Sequence, residues 1–241
     1  IGETTFGGHS SLLFGQPDSK MDYGSLIYWT LRRASNCRDA IETMAAVVDE
    51  FGYVSEGESF SLADRSGEVW VMEMMPRGKY GLGATWVAMR VPDGSVMAHA
   101  NQARIRTFPR DDSENWMYAE DVVELARTSG LWNGTDESDF SFSDVYNPIT
   151  FSGVRFGDAR VYAMFSRLVD EEGAGPNGAF AKKYERYATA LHLKEDGPAV
   201  DRMPLYVQPR TPLTMADVRS LMRDRYEGTV LRFDDDAGAG P

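Results

Sequence analysis

Apolar residues recur at helical spacing through residues 37–51, where Ile41, Met44, Ala45 and Val48 fall on one face of a 3.6-residue turn. Asn36 stands at the N-cap position, and Asp39, three residues on, completes a box-like pair, so the spacing predicts a helix over 37–51. Residues 27–33 lead into it. The opening, 1–24, is rich in Gly, Ser and Thr without a clear period, which predicts loops and one short element. After Gly57 the period changes to alternation. Segments 58–63, 68–74, 84–91 and 96–101 read as four strands. Their connections are 64–67, a Pro/Gly-rich stretch at 76–83 and Pro92-Asp93-Gly94, turn chemistries that favour antiparallel neighbours.

Beyond Asn115 the helical period returns over 118–129, with Gly130 as its stop. Residues 140–156 are aromatic and Pro-containing, the composition of an ordered loop that packs down. A helix is predicted over 158–171, with Val161, Phe165 and Leu168 on one face, followed by a breaker-rich surface loop at 173–178. A last helix, 214–225, carries Thr214 and Asp217 as a capping pair. There is no internal repeat and no low-complexity linker. Strands grouped together, rather than alternating with helices, predict one α+β domain over 1–241.

Composition narrows the class. The chain is 42% hydrophobic and carries five Trp, eleven Tyr and twelve Phe, an aromatic load that disordered segments lack. Its apolar runs are too short to span a bilayer as a helix. With 37 acidic against 25 basic side chains the formal charge is −12, which repels phosphate backbones and argues against nucleic acid and anionic membranes as partners. One cysteine cannot form an internal disulfide; this favours a reducing cytoplasm and also fits a secreted or periplasmic protein without disulfides. The start at Ile1 and the Gly-Ala-Gly-Pro end do not read as natural termini, so the chain is expected to be an internal portion of a longer protein, with room for a targeting segment upstream.

Several residues are candidates for chemistry. Cys37 lies at a predicted helix start between Asn36 and Arg38, where dipole and charge favour a thiolate, yet no Gly-rich nucleophile turn and no nearby His accompany it. A structural helix-start residue is the better reading. His9, His99 and His192 are too far apart for a helical metal motif, and no phosphate-binding loop, CxxC pair or dinucleotide fingerprint is present, so no cofactor is expected. The run His99-Ala100-Asn101-Gln102-Ala103-Arg104-Ile105-Arg106 follows a strand of mostly apolar and small residues and suddenly presents polar donors. Asn amides and Arg guanidinia there suit a carboxylate or an oxyanion, and the same run also fits a solvated edge strand. Asp144-Val145-Tyr146-Asn147-Pro148 reads as a turn, Asn133-Gly134-Thr135 matches a glycosylation sequon, and the run Asp234, Asp235, Asp236 reads as a solvated tail.

In order along the chain, Ile1-Gly2-Glu3-Thr4-Thr5-Phe6-Gly7-Gly8, Asp22-Tyr23-Gly24-Ser25-Leu26-Ile27, Gly57-Glu58-Ser59-Phe60-Ser61, Glu68-Val69-Trp70 and Trp86-Val87-Ala88 are followed by Ala98-His99-Ala100-Asn101-Gln102-Ala103-Arg104-Ile105. Phe140-Ser141-Phe142-Ser143-Asp144-Val145-Tyr146-Asn147-Pro148, Ala159-Arg160-Val161 and Arg223-Asp224-Arg225-Tyr226-Glu227-Gly228-Thr229 complete the series. Together they resemble the dipeptidase A family of N-terminal-nucleophile cysteine hydrolases. The resemblance implies a four-layer αββα sandwich with antiparallel sheets, incomplete here, and hydrolysis of dipeptides or small peptides by a thiol. It further implies that the nucleophile is an N-terminal Cys upstream of Ile1, that Asn101 stabilises the oxyanion, and that Arg104 binds carboxylate or orients the substrate. Cys37 inherits no catalytic role from it. On this reading the chain alone is catalytically inactive. Hydrolysis of other amides or acyl-amino acids, or peptide binding without catalysis, are the alternatives, and a homo-oligomer is compatible with all three.

Overall fold

The computed structural model describes residues 1–189, 201–226, 229 and 231, and they form two compact units. The first comprises Ile1–Pro92 and Asn101–Pro148. Its frame is a five-stranded antiparallel sheet in the order β1 (Gly2–Gly7), β2 (Gly57–Ala63), β3 (Val69–Pro76), β4 (Ala84–Arg90), β6 (Trp116–Tyr118). Two helices, α1 (Tyr23–Leu31) and α2 (Cys37–Phe51), bring Leu26, Cys37, Ala40, Ile41, Met44 and Val48 into one core with Phe60, Leu62, Trp70, Met72, Met74, Trp86 and Ala88. These strand residues alternate along β2, β3 and β4, so they share one face of the sheet. The intervening Ser59, Val71, Glu73, Met75, Thr85, Val87 and Met89 are buried as well. A sheet covered on both faces explains why β3 and β4 carry near-continuous apolar runs.

Sequence patterning located this frame well at its centre. The helix over 37–51 has those bounds, capped by Asn36 Oδ1, which accepts the Asp39 N–H at 2.9 Å. The hairpins fall where the turn residues put them: Asp64 Oδ1 accepts the Ser66 N–H at 2.8 Å, and Gly67 takes a φ of +92°. The β3–β4 loop also needs a glycine. Gly83 sits at φ +90°, and a Cβ there would lie 2.8 Å from Asp49 Oδ1 and 2.9 Å from the Val48 carbonyl. That loop is tied down by Arg77, whose guanidinium donates to Asp49 at 2.6 Å, to the Leu82 carbonyl at 2.7 Å and to Asp121 at 2.7 Å.

At the margins, tertiary pairing overrides the local pattern. The opening segment contributes edge strand β1, with Thr5 opposite Glu58 and a register shift before Gly7, and α1 is capped by Asp22, whose carboxylate accepts the Ser25 N–H. Tyr118, expected to open a helix, instead closes strand β6 (Trp116–Tyr118), because Met117 pairs with Ala88 while Trp116 stacks on Phe108 with centroids 5.9 Å apart. Only α3 (Glu124–Thr128) is left of that helix. The expected loop 140–156 contains helix α4 (Phe142–Tyr146), which brings Phe142 and Tyr146 edge to face.

The second unit comprises Asp93–Ala100 and Ile149–Pro241. Here the strand expected over 96–101 shrinks to β5 (Val96–Met97), which pairs with β7 (Tyr206–Val207) instead of joining the larger sheet. A π-helical turn, Gly153–Asp158, runs into α5 (Ala159–Val169), so the helix predicted over 158–171 is present with slightly tighter bounds. Its Val161, Phe165 and Leu168 pack with Ala181 of α6 (Ala179–Lys183), Tyr187 of α7 (Arg186–Thr189), Met203 and Val207. The last predicted helix, 214–225, is the shorter α8 (Met215–Leu221), and its capping box is formed by the two residues expected, Thr214 and Asp217. His192 and the run Asp234, Asp235, Asp236 lie outside the described residues. No helix among the described residues is long and apolar enough to cross a membrane.

Arg77 makes three charge-assisted bonds from a mostly buried position, its side chain only 18% exposed. Arg77→Met should therefore lower unfolding free energy by about 2 kcal/mol, less than for a fully buried pair because Asp49 is half exposed. Urea denaturation of the two proteins at one pH checks this.

Candidate active site

A single acidic residue interrupts the apolar run of β3, and it organises the surroundings. Glu73 is fully buried, and its two carboxylate oxygens accept backbone N–H groups from consecutive residues: Arg104 at 2.6 Å and Ile105 at 3.0 Å. A buried carboxylate requires such donors, and here they come from a segment some thirty residues further along. The same segment is held on its other side by Asn147, the C-cap of α4. Asn147 Oδ1 accepts from Gln102 Nε2 at 2.6 Å and from the Ala103 N–H at 2.9 Å, while its Nδ2 donates to the Phe6 carbonyl at 3.1 Å. Downstream, the Ser143 N–H donates to the Ile105 carbonyl at 2.8 Å. Residues 101–106 are thus fixed by bonds to β1, β3 and α4.

Both residues singled out from the sequence lie in this fixed segment, in different settings. Asn101 is exposed and adopts the left-handed region at φ +56°, which Asn tolerates better than most residues. Its Nδ2 donates to the Thr5 carbonyl of β1 at 2.5 Å. Arg104 is 6% exposed, with its backbone bonded to Glu73. Glu73, Gln102 and Asn147 were not singled out as site residues. The signal for Glu73 was available as a lone acid in Val69-Trp70-Val71-Met72-Glu73-Met74-Met75, whereas Asn147 read as an ordinary turn residue.

Thr5 links Asn101 to a second buried carboxyl. Its hydroxyl donates to Glu58 Oε1 at 2.8 Å, and Glu58 Oε2 is buried with no donor reaching it. The half-buried Glu3 carboxyl stands within hydrogen-bonding reach, and two carboxylates cannot bond each other. A proton on Glu58 relieves this repulsion. Burial first, against the Thr5 bond, and then Glu3 and Glu56 push its pKa up to about 8.

Cys37 is placed elsewhere, at the start of α2 and 2% exposed. Its N–H donates to Asp64 at 3.0 Å and its thiol to the Glu68 carbonyl at 3.4 Å. Burial, then the Asp64 charge, push the thiol up to about 12, so it is protonated at neutral pH and unsuited to attack. Among the described residues no cluster of three or more His, Cys, Asp or Glu side chains could hold a metal ion.

The family model described as Peptidase family C69 matches residues 1–240. The chain is 23% identical over 197 residues to a probable dipeptidase of Salmonella dublin, covering 81% of this chain and 38% of that protein. It is 26% identical over 200 residues to a dipeptidase of Bifidobacterium longum (80% and 33%) and 28% identical over 202 residues to probable dipeptidase B of Streptococcus pyogenes serotype M1 (84% and 34%). The chain therefore spans little more than a third of the length of these curated relatives.

Two outcomes follow from the buried carboxyls. Glu73→Gln leaves one of the two backbone donors facing an amide NH₂, and should cost about 2–3 kcal/mol in urea denaturation. Glu58 binds its proton more tightly folded than unfolded, so its contribution to stability is full below pH 4.5 and is lost as pH rises toward 8. Glu58→Gln mimics the protonated form and should flatten that decline, making the variant less sensitive than the parent between pH 5 and 8. Parallel slopes for the two proteins would show that Glu58 does not carry the proton.

Proposed function

The chain belongs to peptidase family C69, and from that membership we propose that it is the part of a thiol dipeptidase that holds and polarises the peptide, with the nucleophile supplied by an N-terminal Cys upstream of Ile1. The observation that carries this reading is the state of Cys37. It is the chain's sole cysteine, and it is buried, bonded to a carbonyl and held protonated. A thiol mechanism with this chain needs another sulfur.

In the proposed reaction the N-terminal thiol loses its proton to its own α-amine, a base whose ordinary pKa near 8 suits neutral pH. The thiolate attacks the peptide carbonyl, the amine returns the proton to the leaving amino group, and water then hydrolyses the thioester. Asn101 donates to the oxyanion from its side-chain amide. Its Nδ2 bears two N–H groups, and the bond to Thr5 fixes the plane of the amide, which supports a preorganised donor. Arg104 serves the substrate carboxylate. Its burial, and the anchoring of its backbone on Glu73, favour a fixed guanidinium over a solvated one. The antiparallel sheet with α1 and α2 on one face forms one αβ half of an N-terminal-nucleophile αββα sandwich, and both units belong to that single domain.

N-terminal sequencing of the mature protein should give Cys at the first position, upstream of Ile1. A mature start at Ile1 would overturn the thiol mechanism. In the mature enzyme, Asn101→Ala should lower kcat on dipeptides about 100-fold with a smaller change in KM. An unchanged kcat would remove Asn101 from the site.

A further inference from the structure

The surface of the second unit carries a feature that the dipeptidase reading does not use. Arg167 of α5, Arg219 of α8 and Arg223 just past it converge on one cleft of about 530 Å³, whose remaining lining is Ala216, Ser220 and Asp224. Three guanidinia around one opening are unexpected in a chain whose formal charge is −12. Arg219 in the last turn of α8 and Arg223 just past it line the same cleft with like charges, an arrangement that costs a little stability on its own. Both are exposed, and neither has a hydrogen-bond or ion-pair partner for its guanidinium among the described residues.

Arg167 is held differently. Its Nε and Nη2 donate to the two oxygens of Asp224 at 2.6 and 2.5 Å, and the Asp224 carboxylate, 12% exposed, also accepts the Tyr226 N–H at 2.9 Å. That fork fixes one wall of the cleft and consumes the one acid among its described lining residues. With Asp224 set against Arg167, Arg219 of α8 and Arg223 just past it leave a formal charge of +2 among the described lining residues. Ser220, which lines the same cleft, adds a hydroxyl donor.

We propose that this cleft binds a small oxyanion of two or more negative charges, a phosphate group or a dicarboxylate. Guanidinia match the paired oxygens of either, and a ligand of this charge balances the +2 of the cleft. The cleft is built within the second unit from α5 and α8, independently of Asn101, Arg104 and the nucleophile.

The test is a titration of the purified protein with inorganic phosphate, and separately with malonate, against sodium chloride at matched ionic strength, read by thermal unfolding and by NMR shifts of arginine Nε–Hε signals. Phosphate, malonate or both should raise Tm beyond the chloride control and move the Arg219 and Arg223 signals; which of them does so identifies the ligand chemistry. The double variant Arg219→Gln with Arg223→Gln, exposed positions whose loss should leave Tm in chloride unchanged or slightly raised, should bind at least about tenfold more weakly. Equal responses to phosphate, malonate and chloride, or undiminished binding in the double variant, would overturn the proposal. Dipeptide hydrolysis is not the readout, so this outcome is separable from the thiol mechanism.

Discussion

A carboxylate buried on the second face of a sheet must be given donors or a proton, and Glu73 is given donors. Each of its oxygens receives a backbone N–H, and the two N–H groups belong to neighbouring residues. The chain at 104–105 can satisfy both only if it runs across β3 at a set height and angle. From that constraint the position of the whole 101–106 segment follows, since Asn147 then meets Gln102 and Ala103 on one side and Phe6 of β1 on the other. Polar bonds of this kind add little net stability compared with the apolar core under α1 and α2. They add position. An apolar contact would let the segment slide by an ångström, and a carboxylate with two donors will not.

Glu58 shows the other solution to the same problem on the neighbouring strand, β2. It lies on the face that packs against the helices, with one hydroxyl donor from Thr5 and one orphan oxygen. Burial, with Glu3 and Glu56 as neighbours, raises its pKa and so favours a proton on it. The two acids thus differ in what they do for the structure. Glu73 fixes a segment by charge, while Glu58 is neutral at the lower end of the physiological range and makes the β1–β2 edge sensitive to pH. Thr5 belongs to both arrangements, its carbonyl orienting Asn101 and its hydroxyl bonding Glu58.

What the sequence made legible follows the range of the forces involved. Helix α2 and the capping box of α8 are set by residues within one turn of each other, and both were readable to the residue. The β2–β3–β4 hairpins were readable for the same reason, through their turns. Strand β1 was not, because its pairing partner lies more than fifty residues away, and neither was β6, whose Trp116 and Tyr118 take their places from Phe108 and from β4. At the candidate site the polar run around Asn101 and Arg104 stood out locally. The residues that hold it did not: Glu73 is separated by 31 positions from Arg104, and Asn147 by 44 from Ala103. A lone acid within an apolar strand was the one available sign that some distant backbone would have to come to it.

The division of labour proposed for this chain follows from these placements. A nucleophilic thiol must be accessible and readily deprotonated, and Cys37 is neither, because burial and the Asp64 carboxylate beside it raise the pKa of its thiol. A donor to an oxyanion has the opposite requirements. It must be held still before the reaction begins, and the energy that holds it must come from somewhere other than the substrate. The bonds around 101–106 meet that requirement without any group that titrates at Asn101 itself. In the proposed enzyme, the reactive sulfur is therefore free to come from a different part of the polypeptide, provided it reaches a donor that the Glu73 and Asn147 anchors have already set in place.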